Sequence, residues 1–294
     1  MHEDAIAVAP AAQKDRVRSF FDESRSWQGD FYAKNNEYFA RLIQRRKQYA
    51  AGMLNRLPRG EGGTALDIGC GAGAYLEELV ALGYTATGVD LSQEMLASSH
   101  KRFAAPGRSS PPVTLLQGDA EKLPVDDSQF DLVLCIGVLG YLIRDEKALS
   151  EILRVLKPGG HLLLNVTNLY SLSDIDFHLR KKLRALMLPG RKNRTTANDL
   201  AYASHSDWML KNRQYFNKSY KLRAYEELLR QYGFRRIDRM TFGFEFRILR
   251  RLHLIPPVWL DRVEVLFESA FRRYHVPYLS SSGWGYIGLF ERVS

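Results

Sequence analysis

The sequence predicts an α/β fold built on a doubly wound parallel sheet, and three observations support that prediction. Short apolar segments typical of buried strands alternate with segments of helical period from residue 64 onward. The connections between them are short, and glycine or proline ends several of the helical segments. Such βα alternation is typical of a parallel sheet covered by helices on both faces.

Residues 13–57 precede the sheet and are predicted to be helical. Apolar residues recur close to helical spacing over 41–57, and the glycine-rich segment 58–63 then ends the helix. Strands are predicted at 64–68, 85–89, 113–117, 130–136 and 161–167. The helices between them are predicted at 73–82, 93–103, where Ser92 is the expected N-cap, and 145–156.

The second half of the chain has a less regular pattern. Residues 169–218 are basic and partly helical, without the spacing of a regular core element. A helix at 221–232, a strand at 234–243 and a last strand at 284–293 resume the sheet. Residues 247–275 predict two helices divided at Pro256 and Pro257.

Charge is distributed unevenly along the 294 residues, whose net charge is +9. Residues 178–275 carry 22 Lys and Arg against 9 Asp and Glu, while the remainder is slightly acidic. A basic half is compatible with a solvated face, an anionic substrate, a nucleic acid or a membrane surface. Net charge alone does not choose among them.

Several classes of protein are disfavoured by simple absences in the sequence. No segment reaches the roughly 20 apolar residues that span a bilayer, and the first residues lack the features of a signal peptide. We therefore expect a cytoplasmic protein without a transmembrane segment. The two cysteines, Cys70 and Cys135, lie in apolar runs, so neither a disulfide framework nor a metal site is expected.

The first strand–turn–helix unit contains the segment that predicts the chemistry. Asp67 is followed by Gly69, Gly71 and Gly73, which permit a tight turn and close approach of a ligand to the backbone. These glycines also fit a dinucleotide fingerprint, but a carboxylate at the turn would repel a pyrophosphate. An acid there instead suits a ligand that carries an ammonium or a sulfonium.

Two further acids follow strands of the same sheet. Asp90 ends the second strand, 21 residues after Gly69, where a carboxylate can accept both hydroxyls of a ribose. Asp119 follows the third strand and is suited to accept a hydrogen bond from an adenine amino group. Together with Asp67 they predict an adenosine-type ligand without a phosphate, which indicates S-adenosylmethionine.

Five segments then resemble those of the class I S-adenosylmethionine-dependent methyltransferases. They are 66–73 (LDIGCGAG), 88–92 (GVDLS), 118–124 (GDAEKLP), 130–133 (FDLV) and 153–160 (LRVLKPGG). Residues 64–167, which contain them, look most like the small-molecule branch that includes the ubiquinone and menaquinone biosynthesis enzymes. The resemblance implies a Rossmann-like seven-stranded sheet with the last strand antiparallel, and N-terminal helices that cover the cofactor. Where the resemblance stops, the two irregular insertions are predicted to form a helical lid over the acceptor.

The resemblance also implies a set of cofactor-binding residues. Asp67, Gly69 and Gly71 would lie at the methionine end, and Asp90 would hold the ribose. Cys70, between the two glycines, is also expected to bind the cofactor. The remaining candidates, at the adenine, along the fourth strand and in the N-terminal aromatic segment, are Leu91, Met95, Asp119, Ala120, Ile136 and Tyr32.

The resemblance fails just after the fourth strand. Many relatives have Glu-His there, whereas this chain has Gly140 and Tyr141. Tyr141 is therefore our first candidate for a catalytic pocket residue, although a packing aromatic is as compatible with the pattern. His205, in the irregular insertion, is a second candidate as a base on a lid, and the alternative for it is a surface histidine.

These predictions divide the chain into five parts and suggest a function. The parts are an N-terminal helical cap (1–60), a cofactor-binding core (61–168), a lid insertion (169–220), the rest of the sheet (221–243 and 283–294) and a helical insertion (244–282).

We expect O-methylation of a small or lipid-like metabolite. The alternatives are N- or C-methylation, an RNA methyltransferase, a non-catalytic binding module and a nicotinamide-dependent oxidoreductase. The sequence disfavours nucleic acid as a partner, because it lacks a recognisable RNA-binding module. Peripheral contact of 244–282 with a membrane stays open.

Overall fold

A computed structural model describes residues 10–23, 38–58, 60–104, 113–171, 218–244, 257–274 and 283–293. Within them the helices are α1 (Pro10–Glu23), α2 (Tyr38–Leu54), α3 (Ala74–Ala81), α4 (Gln93–Phe103), α5 (Glu146–Val155), α6 (Leu222–Gln231) and α7 (Pro257–Tyr274). The strands are β1 (Thr64–Ile68), β2 (Thr85–Asp90), β3 (Thr114–Gln117), β4 (Phe130–Ile136), β5 (Leu156–Thr167), β6 (Phe234–Phe242) and β7 (Gly285–Arg292). A short 3₁₀ helix, Leu139–Tyr141, follows β4.

The seven strands form one sheet in the order β3-β2-β1-β4-β5-β7-β6. The five strands from β1 to β5 are parallel, and β7 runs antiparallel between β5 and β6. This arrangement confirms the predicted α/β fold with an antiparallel last strand. It also brings the carboxyl ends of β1, β2, β4 and β5 to the same edge, where ligands bind in such sheets.

Apolar side chains cover both faces of the sheet. On one face, α5 and α6 pack against residues of β1 and β4 that include Leu66 and Val133. On the other face, α2 and α3 pack against neighbouring residues of the same strands, such as Ala65 and Leu132. The alternation of side chains along each strand produces this division, so the sheet is doubly wound as predicted.

One strand boundary differs from the sequence prediction by five residues, whereas the other predicted strand boundaries agree to within one residue. The strand expected to begin at residue 161 begins at Leu156, which pairs with Phe130. Leu132 then pairs with His161, so residues 157–160 form a bulge within the strand. Gly159 has a φ of 74° there, a conformation that glycine adopts at low cost. The Lys-Pro-Gly-Gly segment thus bends the strand instead of preceding it.

A buried cluster of charged residues attaches α7 to α2. Arg45 Nη1 donates to Glu264 Oε2 at 2.9 Å and to Glu268 Oε1 at 3.2 Å. Tyr49 and the backbone N–H of Gly243 also donate to Glu268. Each glutamate is 1% exposed, so both carboxylates lose their water and are compensated by protein donors.

No helix within the described ranges is long and apolar enough to cross a lipid bilayer. The division of the chain into five parts stays a prediction, because most of the proposed lid insertion lies outside the described residues.

Candidate cofactor and acceptor site

A cavity of about 200 Å³ opens at the carboxyl edge of the sheet. A single ordered water needs only roughly 10–15 Å³ of such space, so the cavity is far larger than a packing defect. The glycine turn after β1 forms one end of its wall, and residues from the ends of β4 and β5 form the other. Helix α1 lies across its opening through Lys14, Val17 and Phe21.

The glycine turn is shaped by three positive φ angles, at Gly69, Gly71 and Gly73, and the first two glycines line the cavity. Gly69 has a φ of 69°, and a Cβ there would lie 2.3 Å from Cγ2 of Val138. Gly71 has a φ of 53°, but a Cβ would meet no atom within 4 Å, because this residue faces the open cavity. The first glycine therefore serves packing, and the second gives a ligand access to the backbone.

Asp67 lies beneath the glycine turn and is 1% exposed. Its Oδ2 atom has no hydrogen-bond partner among the described residues. Burial raises the pKa of this carboxyl well above its usual range, Asp90 raises it further, and Arg46 opposes the shift. Asp67 is not itself part of the cavity wall, whereas its neighbours Ile68 and Gly69 are. An acid left unpaired at this depth is costly unless a ligand compensates it.

Asp90 lies at the cavity wall at the end of β2. Its two oxygens accept from the backbone N–H groups of Gly71 and Ser92, each at 2.8 Å. Burial raises the pKa of the Asp90 carboxyl, although these two hydrogen bonds oppose the shift. Because each carboxylate oxygen has two lone pairs, acceptor capacity is left for a ligand hydroxyl.

Asp119 also lines the cavity, and α1 reaches it. Lys14 Nζ donates to Asp119 Oδ2 at 2.5 Å and forms a second ion pair with Glu121. The same helix brings Asp22 to the Ser92 hydroxyl, 2.5 Å away. Helix α1 is therefore attached to the cavity rim by polar contacts at both of its ends.

Tyr141 lies in the cavity wall within the 3₁₀ turn after β4. Its carbonyl oxygen accepts from Gln13 Nε2 at 3.0 Å, and its ring packs edge-on against Phe21 at 5.6 Å between centroids. The turn is held from the other side by Lys218, whose backbone N–H donates to Gly140 at 2.8 Å. Tyr141 is thus fixed between α1 and the chain leading into α6.

The remaining predicted residues divide into two groups. Several line the same cavity, as expected: Cys70, Leu91, Met95, Ala120 and Ile136. Tyr32 and His205 lie outside the described residues, so their predicted roles stay predictions.

Sequence reasoning missed two features of the cavity. The first is Lys14, which pairs with Asp119 from 105 residues away. The second is Arg46 on α2, which is 8% exposed and donates from Nη1 to Asn165 Oδ1 at 3.3 Å. Arg46 could have been noticed in the sequence, because it lies on the predicted buried face of a helix whose other residues there are apolar.

The donor and acceptor set fits S-adenosylmethionine better than a dinucleotide. Asp90 and Asp119 line the cavity with carboxylates that can accept from hydroxyl and amino groups, and Asp67 is an acid buried just behind the wall. Asp67, which precedes the glycine turn, and Asp90, which accepts from the N–H of Gly71, would repel a pyrophosphate there. These residues thus suit a cationic nucleoside ligand.

Comparison with known proteins agrees with this geometry. Residues 66–164 match the family model described as "Methyltransferase domain". A putative methyltransferase of Bacillus subtilis is 34% identical over 119 residues, 39% of this chain and 47% of that protein. A malonyl-[acyl-carrier protein] O-methyltransferase of Enterobacter lignolyticus is 30% identical over 177 residues, 60% of this chain and 62% of that protein. In both relatives the match covers less than two thirds of their own length.

Solved structures extend the likeness of the fold to nearly the whole chain. Magnesium protoporphyrin IX methyltransferase from Synechocystis, solved with bound SAH, has a TM-score of 0.59 at 16% identity, covering 95% of this chain and 99% of that one. The Haloferax volcanii putative methyltransferase, solved with its Trm112 activator, has a TM-score of 0.57 at 20% identity, covering 95% and 98%. At these identities the likeness concerns the fold. Residues 66–164 therefore match a methyltransferase domain, and the chain as a whole has the fold of these solved methyltransferases.

Proposed function

We propose that this protein transfers the methyl group of S-adenosylmethionine to an oxygen atom of a small or lipid-like metabolite. The observation that carries the proposal is the continuity of one cavity from the glycine turn and Asp90 to Tyr141 and Asn165. A methyl donor and an acceptor must meet in line within one space, and much of the rate comes from holding them there.

For the cofactor half, Asp67 would hold the ammonium, Asp90 the ribose hydroxyls and Asp119 the adenine amino group. When bound, S-adenosylmethionine supplies an electrophilic methyl group on a sulfonium. Because α1 covers the opening through Lys14 and Phe21, it would exclude water from the reacting atoms. Release of the cofactor product then requires the polar contacts of α1 to break.

For the acceptor half, the cavity offers mostly apolar walls with a few polar groups. Ile43, Val138 and Trp284 line it beside Arg46 and Asn165. Arg46 places a positive charge near the site, which favours an acceptor whose oxygen is already anionic, such as a carboxylate or an ionised hydroxyl. An anionic oxygen needs no general base, and Tyr141 would then orient it.

The names of the relatives support an apolar acceptor, but they do not agree on which atom of the acceptor is methylated. They include demethylmenaquinone methyltransferases, a sterol 4-C-methyltransferase and phthiotriol/phenolphthiotriol dimycocerosates methyltransferases. The malonyl-[acyl-carrier protein] O-methyltransferase described above matches over a longer segment than these relatives do, and its name supports a carboxylate acceptor. The sterol 4-C-methyltransferase among the relatives is named for carbon methylation, so the test must distinguish methylation of oxygen from methylation of carbon.

The test has a binding arm and a transfer arm. Calorimetry with S-adenosylhomocysteine and with NAD should give binding of the first alone, and the opposite result would contradict the proposal. S-adenosylmethionine labelled on its methyl group is then supplied with panels of fatty acids, phenols, amines and tRNA. We expect label in an ester or aryl ether, where alkaline treatment releases methanol from the ester. Label in tRNA, in an amine or on carbon would contradict O-methylation while leaving the cofactor assignment intact.

A further inference from the structure

Among the described side chains of helix α7, two acids face inward and several large apolar groups face outward. Glu264 and Glu268, one turn apart, face α2 and are each 1% exposed. On the opposite side of the helix, Leu266 is 67% exposed and Trp259 is 57% exposed. A surface helix normally buries its apolar stripe and presents its charges to water, so α7 reverses the usual pattern.

The exposed apolar residues are concentrated on this helix. Eight large apolar side chains are prominently exposed within the described ranges, and α7 contributes four of them, Trp259, Val265, Leu266 and Phe267. Scattered exposed apolar residues need no explanation, but a cluster on one element indicates a contact surface. Arg262 lies on the same side, with its guanidinium 5.2 Å from the centre of the Trp259 ring.

The segment of sequence that contains α7 is basic. Residues 245–274 contain six arginines and four acids in the sequence. Two of the acids, Glu264 and Glu268, are buried and paired with Arg45, so the exposed side of α7 does not present them. Together with Arg262 on the exposed side of the helix, this excess of arginine in the sequence complements an anionic surface and opposes a second copy of the same face.

We propose that the outer face of α7 binds the surface of an anionic lipid bilayer. Trp259 and Leu266 enter the boundary between headgroups and acyl chains, and Arg262 meets the lipid phosphates, which is the division of roles found in interfacial helices. The inward ion pairs with Arg45 hold the helix in this orientation. The proposal does not depend on the identity of the methyl acceptor.

The experiment is flotation of the full chain with vesicles. One set is pure phosphatidylcholine, and the other contains phosphatidylcholine with an equal part of phosphatidylglycerol. We expect the wild type to float with the anionic vesicles and to be released by high salt, because screening weakens the arginine contacts. The double variant Trp259→Ser/Leu266→Ser should lose about tenfold or more of its vesicle binding, since burial of each side chain is worth about that factor.

A matched control separates this surface from general stickiness. Ile237 on β6 is 48% exposed and far from α7 in sequence, so Ile237→Ser removes a comparable apolar group elsewhere. It should float like the wild type. Thermal unfolding and S-adenosylhomocysteine binding of the double variant should match the wild type, which excludes misfolding as the cause.

Three outcomes would overturn the proposal. The first is equal flotation of the wild type and the double variant. The second is equal binding to neutral and anionic vesicles. The third is a dimer by light scattering that Leu266→Ser dissociates, without vesicle binding of the wild type, since a second copy would then cover this face.

Discussion

Buried carboxylates at two places in this protein differ in their hydrogen-bond partners. Glu264 and Glu268 lie between α2 and α7 and are bonded to Arg45 at 2.9 and 3.2 Å, respectively. Asp67 beneath the glycine turn is as deeply buried, yet its Oδ2 atom has no partner among the described residues. The paired acids hold two elements together, whereas we propose that the unpaired acid is compensated by the cofactor when it binds. Adjacent residues of α2 serve both places, since Arg45 faces α7 and Arg46 faces the cavity.

The largest effect should follow from breaking the paired group. Arg45→Ala leaves two buried carboxylates without their cation, which costs about 3–5 kcal/mol of the free energy of unfolding and lowers Tm by on the order of 10 °C. Differential scanning calorimetry measures this. Arg56→Ala is the control, because Arg56 is exposed and its pair with Asp238 is worth less than about 1 kcal/mol. Equal losses in the two variants would mean that the buried cluster contributes no more than an exposed pair.

The next effect concerns the unpaired acid and its ligand. Asp67→Asn removes the anionic oxygen that would hold the ammonium, so affinity for S-adenosylhomocysteine should fall about 10–100-fold, as for loss of a charged hydrogen bond. Calorimetric titration measures it. Asp131→Asn, at the opposite edge of the sheet beside Thr64, should keep the wild-type Kd. Unchanged affinity in Asp67→Asn would remove this residue from the cofactor site.

A smaller effect is expected at the acceptor end of the cavity. Tyr141→Phe keeps the ring that packs against Phe21 and removes only the hydroxyl. Turnover with an accepted substrate should fall about tenfold if the hydroxyl orients the acceptor, with cofactor affinity unchanged. Tyr84→Phe, just before β2 at the other edge of the sheet, is the matched control. A wild-type kcat in Tyr141→Phe would exclude the hydroxyl from the reaction.

The contrast between the two acid groups also marks what the sequence predicts and what it does not. The glycine turn, Asp90 and the Ser92 cap are local features, so spacing alone identified them, and Ser92 indeed accepts from the Met95 N–H at 3.1 Å. The partners of Arg45 lie 219 and 223 residues away, and those of Arg46 and Lys14 lie more than 100 residues away. No periodicity or motif relates residues so distant. Such pairings depend on how the helices pack on the sheet.

The carboxyl edge of the sheet was predictable for a related reason. In a parallel sheet every strand that ends in a polar residue delivers it to the same edge, so Asp90 and Asp119 were expected beside the glycine turn. Lys14 was not expected there, and its ion pair with Asp119 places α1 over the site. The acceptor end depends on the packing of Tyr141, Asn165 and Arg46, for which the sequence carries no shared pattern.

The smallest predicted effect tests the cost of the unpaired acid in the free protein. Burial raises the pKa of Asp67 above its ordinary value of 3.8, so the folded state holds its proton more tightly than the unfolded state does. Below the unfolded pKa the carboxyl is neutral in both states and costs nothing. As the pH rises from there through the folded pKa, the unfolded state loses its proton first, and the folded state becomes progressively less stable.

Asp67→Asn cannot ionise, so its Tm without ligand should exceed that of the wild type by an amount that grows with pH. The gain should reach on the order of 1 kcal/mol, about 2–4 °C, and level off above the folded pKa. Asp131→Asn provides a control of opposite sign, because hydrogen bonds from Lys157 and Thr64 outweigh desolvation and lower the pKa of Asp131. Its Tm should therefore fall below that of the wild type as the pH rises through the ordinary value of 3.8. A pH-independent difference for Asp67→Asn would mean that the acid is already compensated in the free protein, and the distinction between the two carboxylate groups would then disappear.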